Sequence, residues 1–432
     1  MEKLRIRGGR PLKGEAEVRG SKNMASKMMI ASLLTDEPCV IENIPLSAET
    51  DITRELCEHI GSRVAVGKER ICRLVTPSIR NTRLTELTRK NRIPILALGP
   101  LLHRQGYAEV PVPGGCPIGH RPINFHVEAL KSMGAQVERR PESYFVQAKE
   151  IHGADIDFPF PSVGATENVM LAAVLAHGKT VIRNAAIEPE IFGLAGMLKS
   201  MGADIEHDEK RRLIEINGVE KLHGVEARVM PDRNEAVSFA VAALATGGDV
   251  FVHGAREQDL ISFLEKIKEA GGLYEVQADG IRFSGSGSYR ALNLETSPHP
   301  GFMTDWQQPF SVLLTRGRGE SIIHETIYED RFGYTRDLNR MGAKISVLTD
   351  CPSGFVCRFH GQGSGHTAVI AGPAKLQGTE IVMTDIRAGM AHMIAALVAE
   401  GESVISGVEH VDRGYEKIDE RLRELGADIK RV

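Results

Sequence analysis

One phrase that recurs six times limits this chain to very few architectures. An amphipathic run ends at a glycine and hands over to an alternating strand in EHIGSRVAV at Gly61, KSMGAQVER at Gly134 and KSMGADIEH at Gly202. The same happens in KEAGGLYEV at Gly271, NRMGAKISV at Gly342 and RELGADIKR at Gly426. From Gly61 to Gly342 the spacing stays close to even. A glycine tolerates the left-handed backbone that closes a helix, so each copy predicts helix, turn and strand. A second marker keeps the same beat as a short strand: PCVIEN from Pro38, AEVPVP from Ala108, KTVIRN from Lys179, DVFVHG from Asp249, ESIIHE from Glu320 and ESVISG from Glu402. Six copies of one α/β unit define a repeat architecture. The last interval, from Gly342 to Gly426, is longer than those before it, and the excess lies in the Gly- and Ser-rich stretch 349–372. It reads as an insertion in one repeat.

Ahead of each strand marker lies an apolar helix with a polar start. The six begin at Ser21, Arg92, Ser162, Asp232, Thr304 and Asp385. These runs are apolar nearly all round, which predicts buried helices with strands packed outside them. Their starts carry Lys22, Asn23, Arg92, Ser162, Asp232, Arg233, Asp305 and Arg387. Helix N-termini favour anions, and a cation there opposes the helix dipole. Lys22, Arg92 and Arg387 therefore need another reason to be where they are, and an anionic ligand supplies one. A polar N-cap is the plainer reading of any single start.

With 432 residues the chain allows two or three domains, each able to bury a core. Its 53 basic and 57 acidic side chains leave a formal charge of −4, without the basic excess of a nucleic-acid binder. No run reaches the ~18 apolar residues of a membrane span, and Met1 to Arg10 hold no apolar signal core. Six cysteines stand at 39, 57, 72, 116, 351 and 357, with no Cys-x-x-Cys pair. That pattern predicts reduced thiols in a cytoplasmic protein, most of them small core residues. Cys351 and Cys357 have no His or Cys neighbour at a familiar zinc spacing, so no metal site is expected. Cys116 differs: flanked by Gly114, Gly115 and Gly119, it sits on a loop rather than in a rigid core element. The Gly-rich stretches at 285–287 and 361–365 lack the context of phosphate loops.

The phrases GSKN at 20–23, PGGCPIGHRP at 113–122, SVGAT at 162–166, NAAIEPEI at 184–191, MPDRNE at 230–235, PHPGFMTD at 298–305, EDRF at 329–332, TDIRA at 384–388 and HVDRGYE at 410–416 resemble those of the enolpyruvyl transferases nearly end to end. The resemblance implies a two-domain inside-out α/β barrel of six repeats of about 70 residues, three per domain, with the active site in the cleft between. It implies a first domain over 22–229 that carries the PGGC loop and a discontinuous second one over 1–21 and 230–432. The implied reaction moves the enolpyruvyl group of phosphoenolpyruvate onto the 3'-hydroxyl of UDP-N-acetylglucosamine by addition and elimination. Phosphate is released, at the first committed step of peptidoglycan synthesis. No metal or organic cofactor is implied, and these two small molecules are the implied partners, with neither nucleic acid nor membrane among them.

Matching motif positions imply roles. Lys22, Arg92 and Arg121 would bind the donor from the first domain, and Arg331, Arg387 and Arg413 would clamp its carboxylate from the second. Asp305 would orient or deprotonate the acceptor hydroxyl, unless it is only a helix cap. Cys116 would act as general acid; Lys22 and Arg413 join it and Asp305 in the catalytic set. Asn23, Pro122, Ile123, Asn124, Phe125, Ser162, Val163, Gly164 and Ile327 complete the implied substrate contacts. Three positions depart from the family: a Lys is usual where Phe160 stands, an Asp where Asn124 stands, and a Lys within the stretch that reads LSAETD at 46–51. They leave the donor site intact and leave open the same chemistry on another uridine nucleotide. The remaining alternative, a non-catalytic nucleotide-sugar sensor, would be favoured by loss of Asp305, Cys116 or an Arg, and none is lost.

Overall fold

The computed structural model describes residues 2–86, 91–114, 119, 122–352 and 357–432. The chain folds into two compact units. One joins Met1–Arg19 to Pro231–Val432, and the other is built from the chain between Gly20 and Met230. The chain passes between the units after Arg19 and after Met230.

Each repeat forms one small sheet, and all six sheets are wired alike. In one, the order is Asp204–Asp208, Leu213–Asn217, Lys179–Arg183, Asp155–Asp157. The first three are antiparallel neighbours, and the last pairs in parallel with the marker strand before the chain enters the buried helix. Two sheets borrow that parallel strand across a crossing. Val225–Arg228 lies along Cys39–Glu42, and Lys13–Glu17 along Asp249–His253. The N-terminal strand Lys3–Arg7 closes the last repeat between Glu402–Ser406 and Asp428–Arg431. In the three-stranded sheet the parallel edge shrinks to the bridge Arg83–Glu109.

The apolar helices lie inside, as their all-round hydrophobicity requires. Arg233–Thr246, Gln307–Leu314 and Ile386–Val398 pack on one another, and every residue from Arg233 to Ala245 and from Ile386 to Leu397 is buried. In the other unit Leu98–Gln105 packs on Val163–Ala173, while the preceding turn Ile93–Ala97 touches both that helix and Lys22–Ala31. Trp306 anchors the first of these cores edge-on to Phe263 and Phe302. Burial of an aliphatic or aromatic side chain of this kind stabilises by about 1.5–3 kcal/mol. All six handover glycines take positive φ, between 84° at Gly271 and 132° at Gly61. That is why the phrase is legible: a Cβ there would be strained whatever surrounded it.

Two helix starts differ from the sequence reading. The run from Thr304 becomes helical only at Gln307, because Thr304 and Asp305 are engaged in side-chain bonds elsewhere. The run from Arg92 opens as a 3₁₀ turn, with Pro94 in its first positions. The insertion leaves the strand Lys344–Leu348 and returns in the strand Thr367–Gly372, which pair with each other.

Candidate active site

In the unit that contains the C-terminus, Asp305 sits between two buried guanidinium groups. Its Oδ1 accepts from Arg331 Nη2 at 2.6 Å and its Oδ2 from Arg387 Nε at 3.1 Å. Both arginines are nearly inaccessible, and the Asp305 side chain is 19% exposed. Burial alone would raise the carboxyl, but Arg331 and Arg387 win and hold it far below the usual carboxylate range. At an effective dielectric near 20, a charge pair at 4 Å contributes about 4 kcal/mol, so two partners outweigh partial desolvation. Asp305 is an anion that occupies a guanidinium clamp and is not a helix cap.

Each arginine is itself held. Arg387 starts the buried helix Ile386–Val398, whose cap Asp385 accepts from the Arg387 backbone N–H at 2.7 Å. Its Nη1 donates to Tyr415 Oη at 2.9 Å, and Tyr415 shares a 2.8 Å bond with Ser238 Oγ. Arg331 Nη1 donates to Thr304 Oγ1 at 3.0 Å, and Thr304 donates in turn to Glu325 Oε2 at 2.8 Å. Glu325 also caps the backbone N–H groups of Ile327 and Tyr328. The Gln308 amide, with its oxygen toward Arg331, accepts from Nε at 2.6 Å and donates to the Thr304 and Asp305 carbonyls. Arg413 ends the short helix Glu409–Asp412, two residues before Tyr415, and is half-buried. Ile327 is half-buried, and its carbonyl accepts from Arg358 of the insertion.

In the other unit, Lys22 and Asn23 open the helix capped by Ser21, whose Oγ accepts from Met24 N at 3.4 Å. Lys22 and Lys27 act electrostatically on Glu167, a carboxyl buried in the helix that begins at Val163. Burial dominates there and pushes Glu167 up to about 7, against the pull of Lys27 and with support from Glu190 and Glu188. Arg92 caps the turn Ile93–Ala97, and its charge reaches the His126 ring. Desolvation first and Arg92 second push His126 down to about 3, so the ring is neutral at physiological pH. Ser162 caps its helix by accepting from Ala165 N, and Val163 and Gly164 follow in the first turn. A Cβ on Gly164 would approach His126 Cε1 at 3.3 Å, so the glycine lets that ring lie close. Asn124 and Phe125 open the helix Asn124–Ser132, Ile123 is its cap, Pro122 is exposed, and Phe125 contacts Phe158.

The structure thus gathers Asp305, Arg331 and Arg387 into one cluster, and sets Lys22, Arg92, Ser162 and Gly164 at buried-helix starts of the other unit. Cys116 and Arg121 lie outside the described residues. Sequence reasoning missed Glu325, Thr304 and Gln308 as the supports of Arg331, and Glu167 and His126 as buried titratable groups. Glu167 stands as a charge in an otherwise apolar helix, a signal that was available. Proximity in space goes beyond what sequence spacing showed. Cys351 and Cys357 do meet histidines, His324 and His366, because three strand ends converge where local spacing shows nothing. Among the described residues, no helix is long and apolar enough to cross a membrane.

A family model described as EPSP synthase (3-phosphoshikimate 1-carboxyvinyltransferase) matches residues 6–422. A protein named UDP-N-acetylglucosamine 1-carboxyvinyltransferase from Protochlamydia amoebophila is 45% identical, over 100% of this chain and 95% of its own. One of the same name from Zymomonas mobilis is 43% identical over the full length of both. Among solved structures, an enolpyruvyl transferase from Streptomyces tendae superposes with a TM-score of 0.89 at 21% identity, over 100% of this chain and 99% of its own. An EPSP synthase from Acinetobacter baumannii gives 0.75 at 19% over the full length of both. Both structural likenesses bear on the fold.

Proposed function

The chain belongs to the EPSP synthase family of enolpyruvyl transferases, and on that premise we propose that it transfers the enolpyruvyl group of phosphoenolpyruvate to the 3'-hydroxyl of UDP-N-acetylglucosamine and releases phosphate. This is the first committed step of peptidoglycan synthesis. The acceptor follows from full-length relatives that carry that activity in their names. The donor chemistry rests on one observation: a carboxylate, Asp305, already seated between two buried guanidinium groups.

The reaction needs a carboxylate and a phosphate held by fixed cations, a hydroxyl that loses a proton and a methylene carbon that gains one. Arg331 and Arg387, with Arg413, take the donor carboxylate. Lys22, Arg92 and Arg121 take its phosphate. A donor carboxylate that shares the arginines weakens their grip on Asp305, whose basicity then rises toward an ordinary carboxylate. Asp305 accepts the acceptor hydroxyl's proton as the oxygen adds to the enolpyruvyl carbon, and Cys116 delivers a proton to the methylene. The new methyl group then returns a proton to the Cys116 thiolate as phosphate leaves the tetrahedral adduct, which restores the double bond. Asn23, Pro122, Ile123, Asn124, Phe125, Ser162, Val163, Gly164 and Ile327 contact the acceptor. The two units that carry these groups are the two catalytic domains, and the reaction runs in the reducing cytoplasm, where the Cys116 thiol persists.

Phosphate release from phosphoenolpyruvate, measured against a panel of UDP-sugars, tests this reading. UDP-N-acetylglucosamine is expected to give the highest kcat/KM. Equal or faster turnover with another uridine nucleotide would reassign the acceptor, and no release with any would overturn the activity.

A further inference from the structure

The insertion in the fifth repeat brings together two cysteines and two histidines that the transferase chemistry does not use. His324 ends the strand Gly317–His324, and His366 directly precedes the strand Thr367–Gly372, whose Thr367 is the register partner of His324. Cys351 lies three residues past the strand Lys344–Leu348, whose Leu348 also pairs with Thr367. Cys357 completes the group, and one donor atom from each of the four residues lies within 4.8 Å of every other. Both histidines are buried and both cysteines half-buried.

The geometry matches a filled coordination sphere better than any other use of these atoms. The two Sγ atoms are 3.5 Å apart, far beyond a disulfide bond, and Cys351 Sγ is 3.4 Å from His366 Nε2. Sulfur at about 2.3 Å and nitrogen at about 2.0 Å from one tetrahedral ion would be about 3.8 Å apart for two sulfurs and about 3.5 Å for sulfur and nitrogen. The second layer of partners is also in place. His324 Nδ1 is 2.8 Å from a Glu295 carboxylate oxygen, and His366 Nδ1 is 2.8 Å from the Ser364 carbonyl. Each bond places the ring proton on Nδ1 and turns Nε2 into the ligand, the arrangement found around protein-bound zinc. The Phe359 N–H points at Cys357 Sγ at 3.3 Å, a donor suited to a thiolate, and the Phe359 ring packs against His366.

We propose that His324, Cys351, Cys357 and His366 bind one zinc ion in a closed, four-coordinate structural site. Two thiolates and two imidazoles select zinc over the oxygen-seeking magnesium and calcium ions, and four protein ligands leave no open position for catalysis. The ion ties an insertion with little apolar content of its own to the end of the sheet, so its binding energy becomes folding energy for this segment. The next residue after His324 is Glu325, and Arg358 of the insertion reaches the Ile327 carbonyl, so the clip also steadies the turn that precedes Arg331.

Elemental analysis of protein purified under reducing conditions without chelator should find one zinc per chain. Cys351→Ser should lower that to background, and so should Cys357→Ser. Cobalt exchanged into the wild-type protein, which does not depend on any variant's folding, should give the intense visible bands and thiolate charge transfer of a tetrahedral site. Removal of the metal should expose 349–372 to proteolysis, with protection restored by added zinc. An absence of zinc after incubation with the metal, an octahedral cobalt spectrum, or an intact mass that shows a Cys351–Cys357 disulfide in freshly isolated protein would each overturn the proposal.

Discussion

Arg331 donates to Asp305 at 2.6 Å from a nearly inaccessible position, so the protein seats its own carboxylate in the clamp that the proposed mechanism gives to the donor carboxylate. A buried guanidinium without an anion is costly, and Asp305 removes that cost until substrate arrives. In the proposed mechanism the acidic group is both stabiliser and reactant.

Asp305→Asn separates these roles. Turnover should fall ~10²–10⁴-fold, because an amide cannot take the hydroxyl proton. Affinity for phosphoenolpyruvate, measured by calorimetry, should not weaken, since the competing carboxylate is gone. The lowered carboxyl also fixes the sign of a stability effect. A depressed pKa stabilises the fold above the unfolded value near 4 and loses that contribution as pH falls through the folded value. The wild type should therefore exceed the variant in stability at pH 7, and the gap should shrink below about pH 4. Activity above a tenth of wild type would remove Asp305 from catalysis.

Arg387→Lys should raise the KM for phosphoenolpyruvate by roughly tenfold or more, about 1.4 kcal/mol. An ammonium cannot serve Asp305 and Tyr415 from one planar fork as Arg387 does at 3.1 and 2.9 Å. Steady-state kinetics at saturating acceptor would read the change.

Glu167→Gln tests the carboxyl raised to about 7 in the other unit. A raised acid stabilises the folded state fully below its unfolded pKa, near 4.3, and loses that contribution as pH rises through the folded value. Stability of the wild type relative to the variant should therefore fall between pH 5 and 8, by on the order of 3 kcal/mol. Denaturation midpoints of both proteins at the two pH values would show it, and parallel midpoints would mean that Glu167 is ionised throughout.

Arg421→Met should destabilise the unit that contains the C-terminus by about 3–5 kcal/mol, because it strands Glu235 in the core. Arg421 Nη2 bonds Glu235 Oε2 at 3.1 Å, and that same oxygen accepts from the Arg19 backbone N–H at 2.6 Å, beside the first crossing. Double replacement of Arg421 and Glu235 by apolar residues should recover much of the loss.

Thiol labelling near pH 7.5 should single out Cys116. Burial pushes Cys39 up to about 11, Cys72 up to about 12 and Cys57 still higher, so none offers appreciable thiolate. A small epoxide that bears a phosphonate should modify Cys116, and phosphoenolpyruvate should protect it by competition for the same cations. Peptide mass spectrometry that finds first label on Cys351, Cys357 or another thiol, or no protection, would remove Cys116 from the donor site.

Local chemistry wrote the repeat into the sequence. Gly61, Gly134, Gly202, Gly271, Gly342 and Gly426 each need a backbone that other residues resist, and the runs at Arg233–Thr246 and Ile386–Val398 are too apolar for a surface. Motif positions likewise pointed to Arg331, Arg387 and Asp305. Their mutual bonds were not legible, because Arg331 and Arg387 belong to different repeats and only the packing of three buried helices and a turn brings them to one carboxylate. Glu325 stayed hidden for the same reason, since its role passes through Thr304. The zinc ligands are the clearest case. His324 and Cys351 lie on either side of a whole helix and strand, and no spacing rule joins them. The register of Thr367 against both His324 and Leu348 does, because backbone hydrogen bonds bring three strand ends to one place and leave four soft donors facing each other.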